Sequence, residues 1–493
     1  MENNAVWGSS NGRYPEFKGN CNREIVVVGG GIAGVLTAFK LAESGKQVTL
    51  LEADRLFCGT SGRTTAKITY NQGNVYAEIY ASYGKQTARL YLNSQTDGIN
   101  GFLQLIERYS IDCDLTETES YIFSRDTGER LKRTCNIMRE LGADCTFVSE
   151  GLQPVKATCA IKAEKQYVFD PVKFLNGLPK KFEIFEHTRV EDVDAINRII
   201  TCSGGVIKAD IIIIATHFPI INSRGVFPFK LRQSMSYTLA TDEKITDKAF
   251  LDEKDDGISL RPFSGGTLIG GCDHRTGRIY DSCHFSKLKR LAQEEFNVKG
   301  FTHEWAAQDV MTFDKMPMAG LYSKNTGGVF VITGFNKWGM TNSMVCSDLI
   351  CDLVTGKTNP YAEIFSPQRR IPGSFGNFMS NAMTNVKEIF LGYFRITFKK
   401  CVPKGSGRIV RYHGKKRAVY RDENGKLYII GTMCPHLHGE LKWNGDTHTW
   451  DCPCHGSRFD IFGNVISEPS TKCCKFEEGT RCQPHENTSK RGF

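Results

Sequence analysis

Residues 25–52 leave this chain little choice of fold. Ile25-Val26-Val27-Val28 is a short β-branched run, and Gly29-Gly30-Gly31-Ile32-Ala33-Gly34 follows at once. An amphipathic stretch continues to about Ser44, and Gln47 to Leu51 alternates into a second run ending on Glu52. The order is strand, tight turn, helix, strand, with G-x-G-x-x-G at the turn and an acidic residue eighteen positions beyond the last glycine. Each part has a reason. Gly29 permits the turn, Gly31 lets a pyrophosphate approach the backbone, and Gly34 lets helix and strand pack. Ile32 and Ala33 begin the helix whose free amides attract phosphate, and Glu52 is placed to accept from ribose hydroxyls. The pattern predicts a dinucleotide site without separating a nicotinamide cofactor from a flavin.

With 493 residues the chain is too long for one ordinary core, and two or three domains are expected. A net charge of +9 without an aromatic-basic motif argues against nucleic acid as the partner and is compatible with anionic substrates or acidic proteins. The N-terminal text lacks an apolar core of signal-peptide length, and no run approaches a membrane span. The expectation is a cytoplasmic protein with no integral membrane segment. Eighteen cysteines are scattered over the chain, and only those near the C-terminus have ligand spacing.

That C-terminal stretch pairs Cys434 with His436 and, after fifteen intervening residues, Cys452 with His455. Two thiolates and two imidazoles on two Pro/Gly-rich hooks suit a [2Fe-2S] cluster with two Cys on one iron and two His on the other. They also suit tetrahedral zinc. The full wording decides between them: C-P-H-L at the first hook and W-D-C-P-C-H-G-S-R-F with Gly463 downstream at the second resemble the Rieske domain family. The resemblance implies a Rieske cluster held by Cys434, His436, Cys452 and His455. It also exposes a departure. Many Rieske domains staple the hooks with a disulfide from the cysteine matching Cys454, but Gly439 stands at the partner position, which leaves packing and hydrogen bonds, or a substitute such as Cys473 or Cys474, to hold the loops.

Elsewhere five phrases occur in order. They are the glycine fingerprint, the small-residue loop Cys58-Gly59-Thr60-Ser61-Gly62-Arg63-Thr64-Thr65-Ala66-Lys67-Ile68-Thr69, the run Ile211 to Thr216, and the segments Trp305–Gly320 and Val329–Thr341. Together they resemble the D-amino-acid-oxidase-like flavoproteins (glycine oxidase and sarcosine oxidase), in the branch with a C-terminal Rieske domain. The resemblance implies FAD, held by Gly29, Gly31, Ile32, Ala33, Gly34, Glu52, Thr64, Val190, Ala215, Thr216, Gly334, Trp338, Gly339, Met340 and Thr341. The helix opening near Gly339 would direct its dipole at the flavin carbonyl where charge builds on reduction. His217 stands where the family has a glycine, which puts close packing at that turn in question. Arg63, Lys67 and His274 are the candidate catalytic side chains, the first two for a carboxylate or for tuning the flavin, the last, with Arg275, for facing substrate.

The expected architecture is α/β with an α+β insert: a Rossmann-type FAD-binding domain, a mixed-sheet substrate domain and a small all-β Rieske domain. An arm covers 1–22. The oxidoreductase covers 23–365, with FAD-binding parts at about 23–75, 187–222 and 306–360 and substrate parts at about 76–186 and 223–305. A linker helix covers 366–400 and the Rieske domain 401–493. Residues Tyr76 to Leu141 read as helical, Ser234–Thr241 and Gly266–Gly271 as strands, Phe378–Phe394 as an amphipathic helix, and Asn424-Gly425 as the turn of a hairpin. The basic run Phe398 to Lys416 reads as a solvated strand face or a docking site for an acidic carrier.

The expected activity is that of an FAD-dependent dehydrogenase. It oxidises a small amine, amino acid or related compound and passes electrons through the cluster to a one-electron acceptor or donor protein or a quinone. The alternatives are an electron-transfer or redox-sensing module without turnover, and an oxidase whose Rieske domain is auxiliary.

Overall fold

The computed structural model describes residues 5–221, 227–278, 283–371, 402–412 and 414–474. The chain forms two compact units, one of residues Met1–His274 and Cys283–Phe378, the other of Arg275–Ser282 and Met379–Phe493.

The first unit is built on two sheets. In the eight-stranded sheet the β-branched run lies within the strand Gly19–Val28, which pairs in parallel with Val48–Leu51 on one side and Gly205–Ile214 on the other. Parallel strands covered on both faces need apolar side chains on both. Accordingly Ile25, Val26, Val27, Ile212, Ile213 and Val331 are all buried. Val329–Thr333 extends the sheet in parallel beyond Gly205–Ile214, and Glu183–Phe185 extends it beyond Val48–Leu51. The helices Ile32–Glu43, Lys85–Arg108 and Gly339–Val354 share one apolar core. Gly98 on the second of these allows the close approach, since a Cβ there would lie 2.8 Å from the Thr341 carbonyl oxygen.

The nine-stranded sheet is mixed. Leu231–Thr241 runs antiparallel to His303–Thr312, and Gly266–Arg275 to Ser259–Phe263; Thr116–Ser124 joins Cys159–Val168 and, in parallel, Ala249–Asp252.

Four expectations change. The first strand begins at Gly19, inside the presumed arm, because its first residues pair with Gly205 and its neighbours. The region read as helical is broken by the strand Thr116–Ser124, whose Thr, Tyr, Ile and Phe residues favour a strand and whose last five residues are all buried. The helix His284–Phe296 had no counterpart in the sequence reading. His303–Thr312 belongs to the second sheet, although residues from 306 were expected with the nucleotide-binding part. The strands expected at Ser234–Thr241 and Gly266–Gly271 lie within Leu231–Thr241 and Gly266–Arg275. The amphipathic helix expected over Phe378–Phe394 lies outside the described residues.

The second unit has two small antiparallel sheets. Ser406–Tyr412, Lys415–Arg421 and Leu427–Ile430 form one, with the Asn424-Gly425 turn closing the last pair; Lys442–Asn444, Thr449–Asp451, Arg458–Phe459 and Val465–Ser467 form the other. Trp450, Leu441, Phe459, Ile430 and Ala418 make its core together with Cys434, Cys452 and Cys454.

Candidate active site and cluster loops

In the first unit Val28, Leu51 and Ile214 stand in register, so Gly29, Glu52 and Ala215 leave the sheet side by side at the carboxyl ends of its parallel strands. Open parallel sheets bind their ligands at that edge. Gly29 turns at φ +110, where a Cβ would lie 2.5 Å from the Ala215 carbonyl oxygen; one on Gly34 would lie 1.9 Å from that of Gly29. Neither position admits a side chain. Close packing at the return strand is therefore kept, and His217 itself adopts φ +65, the left-handed conformation natural to the glycine it replaces. The Thr333 hydroxyl donates to the His217 carbonyl and ties this turn to the next strand. Burial pushes the His217 imidazole down to about 4, so it is neutral at neutral pH.

The Glu52 carboxylate accepts from the Gly30 amide at 2.6 Å and from the Asp54 amide at 2.9 Å, which fixes it at the mouth of the glycine turn. Ser61, a residue the sequence reading left without a role, accepts from the Ile32 amide at 2.8 Å and so reaches the first turn of the glycine-rich helix. Val190 is buried in the core beneath this edge.

The loop after Glu52 is held by its own backbone. Three consecutive carbonyls each accept from a side chain distant in sequence: Arg63 from Trp305 Nε1 at 2.8 Å, Thr64 from Trp7 Nε1 at 2.7 Å, and Thr65 from Arg261 at 2.8 Å. Arg261 is 2% exposed, donates also to the Phe169 carbonyl at 2.9 Å, and stacks its guanidinium 4.9 Å from the Trp7 ring. An irregular loop that spends its carbonyls on rigid partners presents its side chains in a fixed direction.

That direction is a cavity of 430 Å³, whose wall includes Arg63, Thr64, Lys67, Tyr237, Asp309 and Trp338. Lys67 lies among positive neighbours. Burial first, then Arg261, pushes its ammonium down to about 8. Asp273 pairs with Lys337 at 3.0 Å. Burial alone would lower Lys337, but the Asp273 carboxylate outweighs it and holds the ammonium above its ordinary value. The turn carrying Lys337 is left-handed at both Asn336 (φ +52) and Lys337 (φ +71). Asn336 stabilises it by accepting from the Thr312 amide at 2.7 Å and donating to the Gly334 carbonyl at 2.8 Å.

The remaining expected residues fall as follows. Gly334 turns at φ +76, with Thr312 Cγ2 2.5 Å from where a Cβ would be. Gly339 opens the helix Gly339–Val354, Met340 is core, and the Thr341 hydroxyl donates to Gln95 Oε1 at 2.6 Å. The cavity takes Asp273, not His274, from the strand Gly266–Arg275. His274 instead stacks on His284 at 4.5 Å, in a pile with Tyr237. Arg275 is counted with the second unit, where it donates to the Cys454 carbonyl at 3.1 Å.

In the second unit the two hooks close on themselves. The Cys434 amide donates to the Gly439 carbonyl at 2.9 Å and the His438 amide to that of Cys434 at 3.0 Å; the Cys452 amide donates to the Ser457 carbonyl at 2.8 Å and the Gly456 amide to that of Cys452 at 2.9 Å. The thiols of Cys434 and Cys452 hydrogen-bond each other, which raises Cys434 and, with Cys454, lowers Cys452. The His436 and His455 rings lie 5.0 Å apart at 87°. The donors are thus sorted, thiol beside thiol and imidazole beside imidazole. Cys434, Cys452 and His455 are buried and His436 is half-buried next to the exposed Leu437. Behind the second hook Asp451 accepts from Thr449 at 2.7 Å, Asn444 at 3.1 Å and Arg458 at 3.2 Å, all of it buried. The sequence phrase W-D-C-P-C-H-G-S-R-F contained this ion pair without showing that its Asp and Arg meet.

Residues 24–353 match the family described as DAO, FAD dependent oxidoreductase. The chain belongs to that family. This FAD dependent oxidoreductase continues into a Rieske [2Fe-2S] domain at residues 393–482. It is 31% identical over 482 residues to the "Putative Rieske 2Fe-2S iron-sulfur protein YhfW" of Bacillus subtilis (strain 168), covering 94% of each chain. It is 23% identical to the gamma-glutamylputrescine oxidoreductase of Escherichia coli (strain K12), covering 68% of this chain and 84% of that protein. Among solved structures its fold is similar to glycine oxidase from Geobacillus kaustophilus (TM-score 0.60, 17% identity, 71% of this chain and 99% of that one). L-proline dehydrogenase from P. horikoshii is comparable (TM-score 0.59, 19% identity, 72% and 97%).

The cofactors of this oxidoreductase are therefore FAD and a [2Fe-2S] cluster, and the residues present fit both. The glycine turn leaves open backbone where a dinucleotide needs it, with only Ser61 Oγ, at 3.2 Å, near a Cβ on Gly31. A two-iron cluster with two thiolates and two imidazoles needs donors sorted by type, as found here. Among the described residues no helix is long and apolar enough to cross a membrane.

Proposed function

We propose that this oxidoreductase is a dehydrogenase for a small amine or amino acid, and that its electrons leave through the Rieske domain to an external one-electron acceptor. The observation that carries the reading is the 430 Å³ cavity, where charged groups of both signs, Lys67 and Asp309 among them, stand on the wall beside the loop and turn assigned to the flavin. Small polar substrates need such convergent groups in an otherwise enclosed site. When bound, FAD supplies a two-electron acceptor for the hydride lost from the carbon next to nitrogen, and the cluster supplies a one-electron carrier.

The protein's own residues then have separate tasks. Gly29, Gly31, Ile32, Ala33 and Gly34 give the pyrophosphate its backbone, Glu52 the ribose, and Thr64, Ala215, Thr216, Gly334, Trp338, Gly339, Met340 and Thr341 line the remainder of the cofactor's path. Arg63 and Lys67 bring positive charge to the cavity for an anionic group. Cys434 and Cys452 would hold one iron, His436 and His455 the other. His436 is the least buried of the four and would be the ligand nearest a partner protein or quinone. None of the sixteen described cysteines is in a disulfide, in keeping with a reducing cytoplasm.

Support for this reading also comes from the fold neighbours and the E. coli relative, which are proteins named for amino compounds. Cys434→Ser or His455→Ala should abolish the cluster's absorption and EPR signals and leave FAD bound and bleached by substrate. Loss of flavin bleaching in a still-folded variant would contradict the relay.

A further inference from the structure

We propose that Asp309 receives the ammonium of the substrate in this cavity and takes its proton, so that the amine is neutral when it is oxidised. The inference rests on the reading of the protein as an amine or amino-acid dehydrogenase and names the residue, and hence the charge, by which the substrate's nitrogen is recognised.

Three observations meet at this side chain. Ala307, Asp309 and Met311 are alternate residues of the strand His303–Thr312, and all three line the cavity, so strand geometry points the carboxylate inward between two apolar neighbours. Among the described residues that carboxylate has no hydrogen-bond donor and no ion-pair partner, whereas Glu52 accepts from two amides and Asp273 pairs with Lys337. The charged groups that face it are Lys337, from the turn before the helix Gly339–Val354, and Asp273, from the strand Gly266–Arg275; Lys67 lies beyond them. Lys337 is committed to Asp273 at 3.0 Å, and Asp273 Oδ1 is itself buried without a hydrogen-bond partner. Two carboxylates thus share one lysine. Asp309 is left as the carboxylate of this pair without a cation of its own, and its natural complement is a cation small enough to enter.

Asp309 is half-buried on the cavity wall, where a carboxylate without a protein partner is costly unless water or a ligand satisfies it. The same partial burial, offset by Lys337 and reinforced by Asp273, raises its pKa to about 6, well placed to accept a proton from an ammonium and return it to water. The step moves only a proton: the substrate N–H bond breaks, the Asp309 O–H bond forms, and the electron pair stays on nitrogen, available for the C=N bond that forms as the neighbouring carbon loses hydride.

The test uses the FAD-loaded full chain and Asp309→Asn. Two ammonium probes without a hydrogen on the carbon next to nitrogen, tert-butylammonium and 2-aminoisobutyrate, cannot be oxidised there, and their binding is read from the flavin absorption; pivalate is the probe without an ammonium. Loss of a charge-assisted hydrogen bond should weaken both ammonium probes by about tenfold to a hundredfold and leave pivalate bound as well or better. Equal binding of the ammonium probes by both proteins, or no binding of them by the wild type, overturns the assignment. The pH dependence of flavin reduction by an oxidisable amine is the second readout: its rise through about pH 6 in the wild type should disappear in Asp309→Asn. If no amine or amino acid reduces the wild-type flavin, the dehydrogenase reading fails, whereas reduction with an identical pH profile in the variant fails Asp309 alone. Matching FAD content and melting temperature show that the variant is folded.

Discussion

Gly439→Cys should staple the two hooks of the cluster domain. A Cβ built on Gly439 lies 3.5 Å from Cys454 Cβ and 2.6 Å from Cys454 Sγ. Disulfides have Cβ···Cβ separations of about 3.5–4.5 Å, so the cross-link needs little movement. Gly439 also lacks a positive φ, so a cysteine there carries no left-handed strain. The bond would close a loop of about 15 residues, for which loss of unfolded-state entropy gives a ceiling of about 3 kcal/mol. At about 4–8 °C per kcal/mol for a small domain, its melting should rise by up to about 12–24 °C under oxidising conditions and return on reduction. The competitor is Cys452, whose Sγ lies 3.1 Å from the same Cβ position. Intact mass and peptide mapping after oxidation, with the EPR signal read on the same sample, distinguish the two. A 439–454 cross-link with the cluster retained is expected. Free thiols after oxidation, or a 439–452 bond with the cluster lost, would refute the placement of the hooks.

Three further perturbations bear on parts of the account. Gly34→Ala places a methyl 1.9 Å from the Gly29 carbonyl oxygen; overpacking of about 1–3 kcal/mol at the glycine turn should strip FAD, read as the flavin-to-protein absorbance ratio. Lys67→Met removes an ammonium whose pKa falls from 10.5 to about 8 on folding. In that window the unfolded wild type binds more protons than the folded one, so wild-type stability rises with pH between about 8 and 10.5, and the variant, more stable at neutral pH, should lack this rise in urea titrations. Arg458→Leu leaves the buried Asp451 charge without its cation, a loss of about 3–5 kcal/mol that should lower the iron content and melting temperature of the Rieske domain.

What could be read from the sequence was what the chain does locally. The glycine turn, its helix and Glu52 lie within one βαβ unit, and each cluster hook is a few residues long, so spacing alone carried their meaning. The family, the α/β class with its all-β appendix and both cofactors followed from those phrases. The cavity was less legible because distant strands build it. Asp273 and His274 are neighbours in the text, yet strand alternation sends one to the wall and the other into a stack with Tyr237 and His284. Lys337 was quoted within a phrase, but its role depends on a left-handed turn held by Asn336 and on a partner, Asp273, from another strand. Asp309 likewise stood within a quoted phrase, as the acid that follows Trp305 by four residues, but the phrase gave it no role; that comes from its place on the cavity wall without a partner. Thr116–Ser124 was missed for the same reason, since its pairing residues lie at 159–168 and 249–252.

The central claim is that electrons enter at the flavin from an amino compound and leave through the cluster. Anaerobic rapid mixing with a panel of small amines and amino acids, followed at the flavin and cluster absorption bands together, tests it directly. The account predicts that at least one compound bleaches the flavin first and the cluster after it, and that a one-electron acceptor restores both. A cluster reduced while the flavin of the same molecule stays oxidised, or a flavin that no compound of the panel bleaches, would contradict it.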